Sequence, residues 1–211
     1  MTHDGPVEGS LNDDDAAGFD DQAPHLVERT VESGTVYQGH FLHVRRDRVR
    51  LPDAREAWRE YILHPGAVVI VPILDDGRLV VERQYRHPMG RVMLEFPAGK
   101  LDRGEPPLSC ARRELEEETG YEAAEWARAG VLHNAIAYSD EFIEIWFARG
   151  LSPGQRRLDE GEFLDVVIAS ADALDRQAAG GVLTDAKSLV ALMWLQNWRA
   201  GRWDVRWTPA G

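Results

Sequence analysis

Cysteine is almost missing from this chain: its 211 residues hold one, Cys110, which excludes an intramolecular disulfide and a multi-cysteine metal centre and suits a reducing compartment. There is no apolar run long enough to span a bilayer, so no membrane partner is expected. No basic stretch followed by an apolar one opens the chain, so neither a secretory signal nor a transit peptide is read, and a cytoplasmic location is the expectation. Positive charge is scarce as well. With 24 Lys and Arg against 36 Asp and Glu, the formal net charge is -12, which argues against a nucleic-acid partner, because phosphate neutralisation needs a lysine and arginine surface. Of the seven histidines only His40 and His43 lie close together, without a cysteine pair to complete a zinc site. Gly99-Lys100 fails as a phosphate loop, since Leu94 and Leu101 occupy its first glycine and Ser/Thr positions. No G-x-S-x-G nucleophile elbow occurs.

What is present begins with a polar tail. Residues 1–24 are rich in Asp and Gly with little apolar pattern, so they cannot offset the entropy of ordering and are expected to be disordered. Residues 25–63 turn to β-branched and aromatic types and predict a small antiparallel sheet, with a hairpin turn expected at Ser33-Gly34 and a further strand at 57–64. The run "AVVIVPIL" (67–74), the turn Asp75-Asp76-Gly77 and "RLVVERQYR" (78–86) predict a buried hairpin. Strands are also expected at 126–133, 142–149 and 163–169, and helices over Glu105–Thr119, 171–179 and 186–200. The fold class is therefore α+β, a mixed α/β arrangement with 64–211 as the main domain. Trp194 and Trp198 stand four apart on the last helix, a spacing that favours packing over a binding platform.

Four of the five residues from Glu114 to Glu118 are glutamates, just before Gly120 ends the helix. A helix C-terminus carries about half a negative charge and prefers cations. On a helix Glu114, Glu117 and Glu118 share one face, opposite the apolar stripe of Leu108, Ala111 and Leu115. Arg113 can offset one of these charges at i+4. The unmatched carboxylates call for a hard divalent cation, Mg²⁺ above all, which takes oxygen ligands and often bridges to phosphates.

The spacing around those glutamates is more specific than their charge. Gly99, five residues, Glu105, seven residues, Arg113-Glu114-Leu115, one residue, Glu117-Glu118, one residue and Gly120-Tyr121 resembles the Nudix box at every fixed position, with Tyr121 where an aliphatic is usual. "HPGAVVIVP", "VERQYR", "EFPAGKLD" and "YSDEFIEIWFARGL" resemble the flanks of the ADP-ribose pyrophosphatase branch. The resemblance implies an α/β/α sandwich with a mixed sheet and a Mg²⁺-dependent hydrolysis of ADP-ribose to AMP and ribose 5-phosphate, Mn²⁺ being a substitute metal. It implies metal ligation by Glu114, Glu118, Glu117 and the carbonyl of Ala98, with Glu117 sharing ligation or activating water and Arg113 holding the glutamates in place. Arg86 matches a phosphate-contacting arginine. A base outside the box is expected on a closing loop, at Glu141, with Asp140 and Glu144 as rivals. Trp58 or Tyr61 would stack on the base and Arg59 or Glu60 would bond its edge, across a homodimer; core packing is the alternative for Trp58. A proline common in the branch beyond the box is absent from "LHNAIAYSDE". Other nucleotide sugars or dinucleotides, such as GDP-mannose or NADH, therefore stay open as substrates, and a non-catalytic ADP-ribose sensor is the reading of another class.

Overall fold

The computed structural model describes residues 23–210, so the tail expectation for 1–24 falls almost wholly outside the described residues. Two compact units are present, one ending at Gly34 and resuming over Arg46–Arg59, the other joining Thr35–Arg45 to everything from Glu60 onward. A three-stranded sheet runs in the order β1 (Arg29–Gln38), β2 (His43–Arg50), β3 (Glu56–Leu63). The turn expected at Ser33-Gly34 is not there. Both residues lie inside β1, where the Ser33 hydroxyl bonds to Asp47 of β2. The chain reverses instead between Gly39, whose N–H donates to Leu42 O at 2.8 Å, and β2.

The larger unit is built on a mixed sheet. Its order is β10 (Leu164–Ala169), β5 (Leu79–Arg86), β4 (Ala67–Ile73), β9 (Phe142–Pro153), β8 (Tyr121–His133) and β11 (Trp207–Pro209), with β6 (Arg91–Glu95) beside β5 and β7 (Ala98–Lys100) beside β4. Within that order only β4 and β9 pair in parallel, and the other neighbours join antiparallel. Every residue of β4 is buried, which explains its unbroken apolar run: helices cover both faces. Ala67, Val69, Val71 and Ile73 point into a core closed by α2 (Ala171–Ala179) and α3 (Ala186–Arg199) through Leu174, Ala191, Leu192 and Leu195. Val68 and Ile70 point the other way, onto Cys110 and Ala111 of α1 (Pro107–Glu114), Leu115 and Trp126. The period of two in one strand thus places one helix layer on each side, an α/β/α sandwich. Trp198 packs on Phe147 and Trp207 with ring centroids 5.6 Å apart, and Trp194 on Trp203 at 4.2 Å, so the tryptophans serve packing.

The box helix differs from its expected span. It starts at Pro107, whose missing N–H costs nothing in a first turn, and changes at Leu115–Thr119 into a single π-helical turn. Such a turn adds a residue to the helix and re-aims the side chains beyond it. Here the turn holds Glu117 and Glu118. It ends at Gly120, whose left-handed φ of 73° suits glycine and whose N–H caps Glu116 O at 2.8 Å.

Candidate active site

A cavity of about 540 Å³ opens in the larger unit, and Glu114, Glu117, Glu118, Ala98, Arg86 and Glu141 all line it. Trp58, Arg59 and Glu60 do not. Trp58 is 52 % exposed and lies under Arg46, whose guanidinium is 4.9 Å from the ring centroid. Arg59 is forked onto Glu28, and Glu60 is an exposed strand residue.

Each glutamate has a distinct holder. Glu118 is buried and accepts the Ala98 N–H at 3.0 Å. Glu114 lies against Gly99, where a Cβ would come within 1.9 Å of its carboxylate, so only glycine fits beneath it. Arg113 is the hub: Nη1 donates to Glu114 at 2.7 Å and to Glu117 at 3.1 Å, while Nε and Nη2 donate to Glu105, each at 3.0 Å. Glu105 also accepts the Asp102 N–H at 3.0 Å, so it anchors the loop and Arg113 together.

The electrostatics of this corner are unbalanced. Burial, and then the charges of Glu82 and Glu114, push the Glu118 carboxyl far above its ordinary range. Burial also raises Glu114, against the pull of Arg113. Glu82, in the middle of β5, is fully buried with neither carboxylate oxygen hydrogen-bonded, and burial and Glu95 raise its pKa as well. Orphaned buried carboxylates are costly unless paired or bound to a cation. Among the described residues no three acidic, histidine or cysteine side chains are grouped tightly enough to hold a cation. Glu114 and Glu117 are turned onto Arg113, and Glu118 onto the Ala98 N–H. The donors are nonetheless all oxygen, Glu118 buried and Glu114 and Glu117 partly so, and they fit a hard divalent cation.

The rest of the lining is supplied by distant segments. Glu141 accepts from Asn134 at 3.4 Å and stands 3.7 Å from His64 Nε2. Asp140 caps the His64 N–H at 2.7 Å, and Glu144 is tied to Arg128 at 3.0 Å and Trp146 at 3.1 Å, so neither rival carboxylate is free. Glu162, from the segment before β10, was not among the expected residues. It lines the same cavity, accepts from Gln84 at 3.0 Å, and its charge raises Glu82, Glu114 and Glu118 alike. Its one sequence signal was an acidic "LDEGEF" segment before a strand. Lys187 and Asp185, at the start of α3, also line the cavity and carried no motif.

A model of the NUDIX domain matches residues 63–192, from the end of β3 into the middle of α3. The chain is a Nudix hydrolase. A second model, the nucleoside diphosphate sugar hydrolase N-terminal domain, matches residues 28–62. This Nudix chain is 34 % identical over 173 residues to an ADP-ribose pyrophosphatase of Bacillus subtilis (strain 168), covering 81 % of this chain and 94 % of the relative. It is also 34 % identical over 171 residues to a methanol dehydrogenase activator of Bacillus methanolicus, covering 80 % and 92 %. A crystal structure of an ADP compounds hydrolase superimposes with a TM-score of 0.75 at 26 % identity, covering 83 % of this chain and 95 % of that one. Use of divalent metals is general to the Nudix family, and no helix among the described residues is long and apolar enough to cross a membrane.

Proposed function

We propose that this Nudix hydrolase cleaves the pyrophosphate of ADP-ribose, giving AMP and ribose 5-phosphate, with Mg²⁺ as its metal and Mn²⁺ as a substitute. The observation that carries the reading is a single cavity lined by the clustered carboxylates Glu114, Glu117 and Glu118 and, elsewhere in its lining, by Arg86 and Lys187. A diphosphate is the ligand that satisfies both, through a cation at the glutamates and directly at the arginine. Glu114, Glu117, Glu118 and the Ala98 carbonyl would hold the metal. Its chemistry there is neutralisation of phosphate oxygens and acidification of water. Arg113 keeps Glu114 and Glu117 oriented, and Arg86, with Nε and Nη2 engaged by Glu95, offers Nη1 to a phosphate oxygen.

Two carboxylates compete for the role of base. Glu141, expected from its loop, is paired with His64 and Asn134. Glu162 lines the same cavity as Glu114, Glu117 and Glu118, and among the described residues its carboxylate accepts only from uncharged donors, the Gln84 amide and the Asp159 N–H, which supports it as the proton acceptor for the reacting water. We assign the base to Glu162 and leave Glu141 to bind substrate. Glu162→Gln is expected to lower kcat by about 10²–10⁴-fold, and Glu141→Gln to act mainly on KM. A kcat loss confined to Glu141→Gln would return the base to Glu141.

Steady-state assay of a panel of nucleoside diphosphate sugars and dinucleotides, with Mg²⁺ and with EDTA, tests the whole reading. Cleavage of none would end the enzyme assignment and favour a sensor that binds ADP-ribose without cutting it. NADH and other dinucleotides are the second substrate class on that panel; preference for one of them, or for GDP-mannose, would displace ADP-ribose. We further propose a homodimer. All ten residues of β1 are exposed, with Val31, Val36 and Tyr37 among them, an edge that isolated chains rarely leave open. Light scattering on the full chain tests it, a monomer at micromolar concentration being the adverse outcome.

A further inference from the structure

Two residues in the cavity lining share one carboxylate. Glu95, at the end of β6, has a side chain only 3 % exposed and accepts Arg86 Nε at 2.7 Å and Nη2 at 2.9 Å in a fork. Its Oε2 also accepts Lys187 Nζ at 2.5 Å, and the same ammonium donates to Asp185 Oδ2 at 3.0 Å. Asp185 is the N-cap of α3, accepting the Ser188 N–H at 3.0 Å. Ser188 is fully buried, and its Oγ accepts the Phe96 N–H at 2.8 Å. Consecutive residues of α3 therefore grip consecutive residues at the end of β6, Lys187 on Glu95 and Ser188 on Phe96.

This grip bears on the arginine. A forked guanidinium cannot rotate about its long axis without breaking both bonds. Glu95 thus dictates where Nη1, the terminal amine outside the fork, points. Burial alone would raise the Glu95 pKa, but the Arg86 hydrogen bond and the Lys187 charge more than offset it, and the carboxyl is held below its ordinary range. Lys187 is 14 % exposed and spends two of its three donors on Glu95 and Asp185, which suits a brace better than a ligand.

We propose that Lys187 is a positioning residue for the diphosphate: acting through Glu95, it fixes Arg86 so that Nη1 meets a phosphate oxygen, and it makes the first turn of α3 part of the phosphate-binding apparatus. The inference rests on the diphosphate reading above and extends it to a residue that never touches substrate.

The test is a cycle of variants in the full-length protein, read by kinetics and by calorimetric titration of ADP-ribose in EDTA, where no turnover occurs. Lys187→Met should raise KM and weaken metal-free binding by about tenfold, the usual worth of an outer support, with kcat changed less than about twofold. Lys187→Arg should restore most of the loss. In an Arg86→Gln background Lys187→Met should add nothing, because the only route by which Lys187 acts has been removed. Glu95→Gln breaks the Arg86 fork itself and should lose at least as much, and Lys187→Gln, expected to match Lys187→Met, covers the case in which Lys187→Met fails to fold. Parent-like binding by Lys187→Met, or an equal further loss in the Arg86→Gln background, would overturn the proposal. A parent protein that neither binds nor cleaves any nucleoside diphosphate sugar would sink the diphosphate reading itself, a distinct result.

Discussion

The two charged sets that line the cavity are built in opposite ways. The carboxylates come from one short stretch, Glu114 to Glu118, and their surplus charge is left for a cation. The cationic set comes from β5 and α3, with Arg86 and Lys187 in the lining locked onto Asp185 and onto Glu95 of β6, outside the lining, in a chain that is internally neutral. One is poised to bind and the other to hold a shape. The difference teaches where to look for each kind of role: an unpaired buried charge marks a place for a ligand, whereas a fully paired one marks a part that must not move.

The sharpest way to break the contrast is Glu118→Gln. The amide keeps an acceptor for the Ala98 N–H but removes a carboxylate proposed to bind the metal, so activity should fall by about a hundredfold or more. Stability in EDTA should not fall, since without a cation the raised carboxyl is already held neutral near pH 7 and the amide is its neutral isostere. Loss of activity together with a lower melting temperature in EDTA would mean that Glu118 is structural after all.

Ser188→Ala probes the other set and should show the reverse balance. It strands the Phe96 N–H beneath a helix, where Ser188 is fully buried, and an unsatisfied buried donor costs about 1–3 kcal/mol. In a chain of this size that lowers Tm by roughly 2–12 °C, while kcat stays within a few-fold of the parent. Differential scanning calorimetry and steady-state rates decide it; an unchanged Tm would show that the grip of α3 on the strand end contributes nothing.

The same contrast governs what the sequence discloses. The glutamates were legible because helical spacing is periodic and local: five residues suffice to place three carboxylates on one face. Their partners Gly99 and Arg113 fall at fixed offsets, and the structure shows why, in the 1.9 Å approach of a Cβ at Gly99 to Glu114 and in the Arg113 hub. The buried hairpin around Asp75-Asp76-Gly77 was equally plain from apolar patterning, whereas the helix layer on each face was implied by the family resemblance. The π-helical turn was not, because a run that reads as helix has no local mark for one extra residue. Ser33-Gly34 carried a turn signal overridden by pairing with β2. Nothing in "RLVVERQYR" singled out Glu82, yet its carboxylate is fully buried. Lys187 and Glu95, 92 residues apart, meet only once the sheet and α3 are assembled. No spacing rule reaches that far.

The smallest effect lies between the two sets, at Glu105, which touches neither metal nor phosphate in this reading. Its carboxyl is pulled from an ordinary 4.5 down to about 2, first by the Arg113 hydrogen bond, with burial opposing and the Asp102 N–H assisting. A depressed carboxyl contributes stability that is fully present above the unfolded value near 4.5 and is lost as pH falls toward 2. Glu105→Gln keeps an acceptor for Asp102 but removes the charge facing Arg113, which retains Glu114 and Glu117. The expected cost at pH 7 is about 1 kcal/mol, the scale of one hydrogen-bonded ion pair near the surface. Urea unfolding of parent and variant should show curves that are separated at pH 7, draw together between pH 4.5 and 2, and coincide at the acid end. A gap that stayed constant across that range would place the contribution of Glu105 in packing rather than charge. Arg113 would then owe its position to the metal-binding glutamates alone.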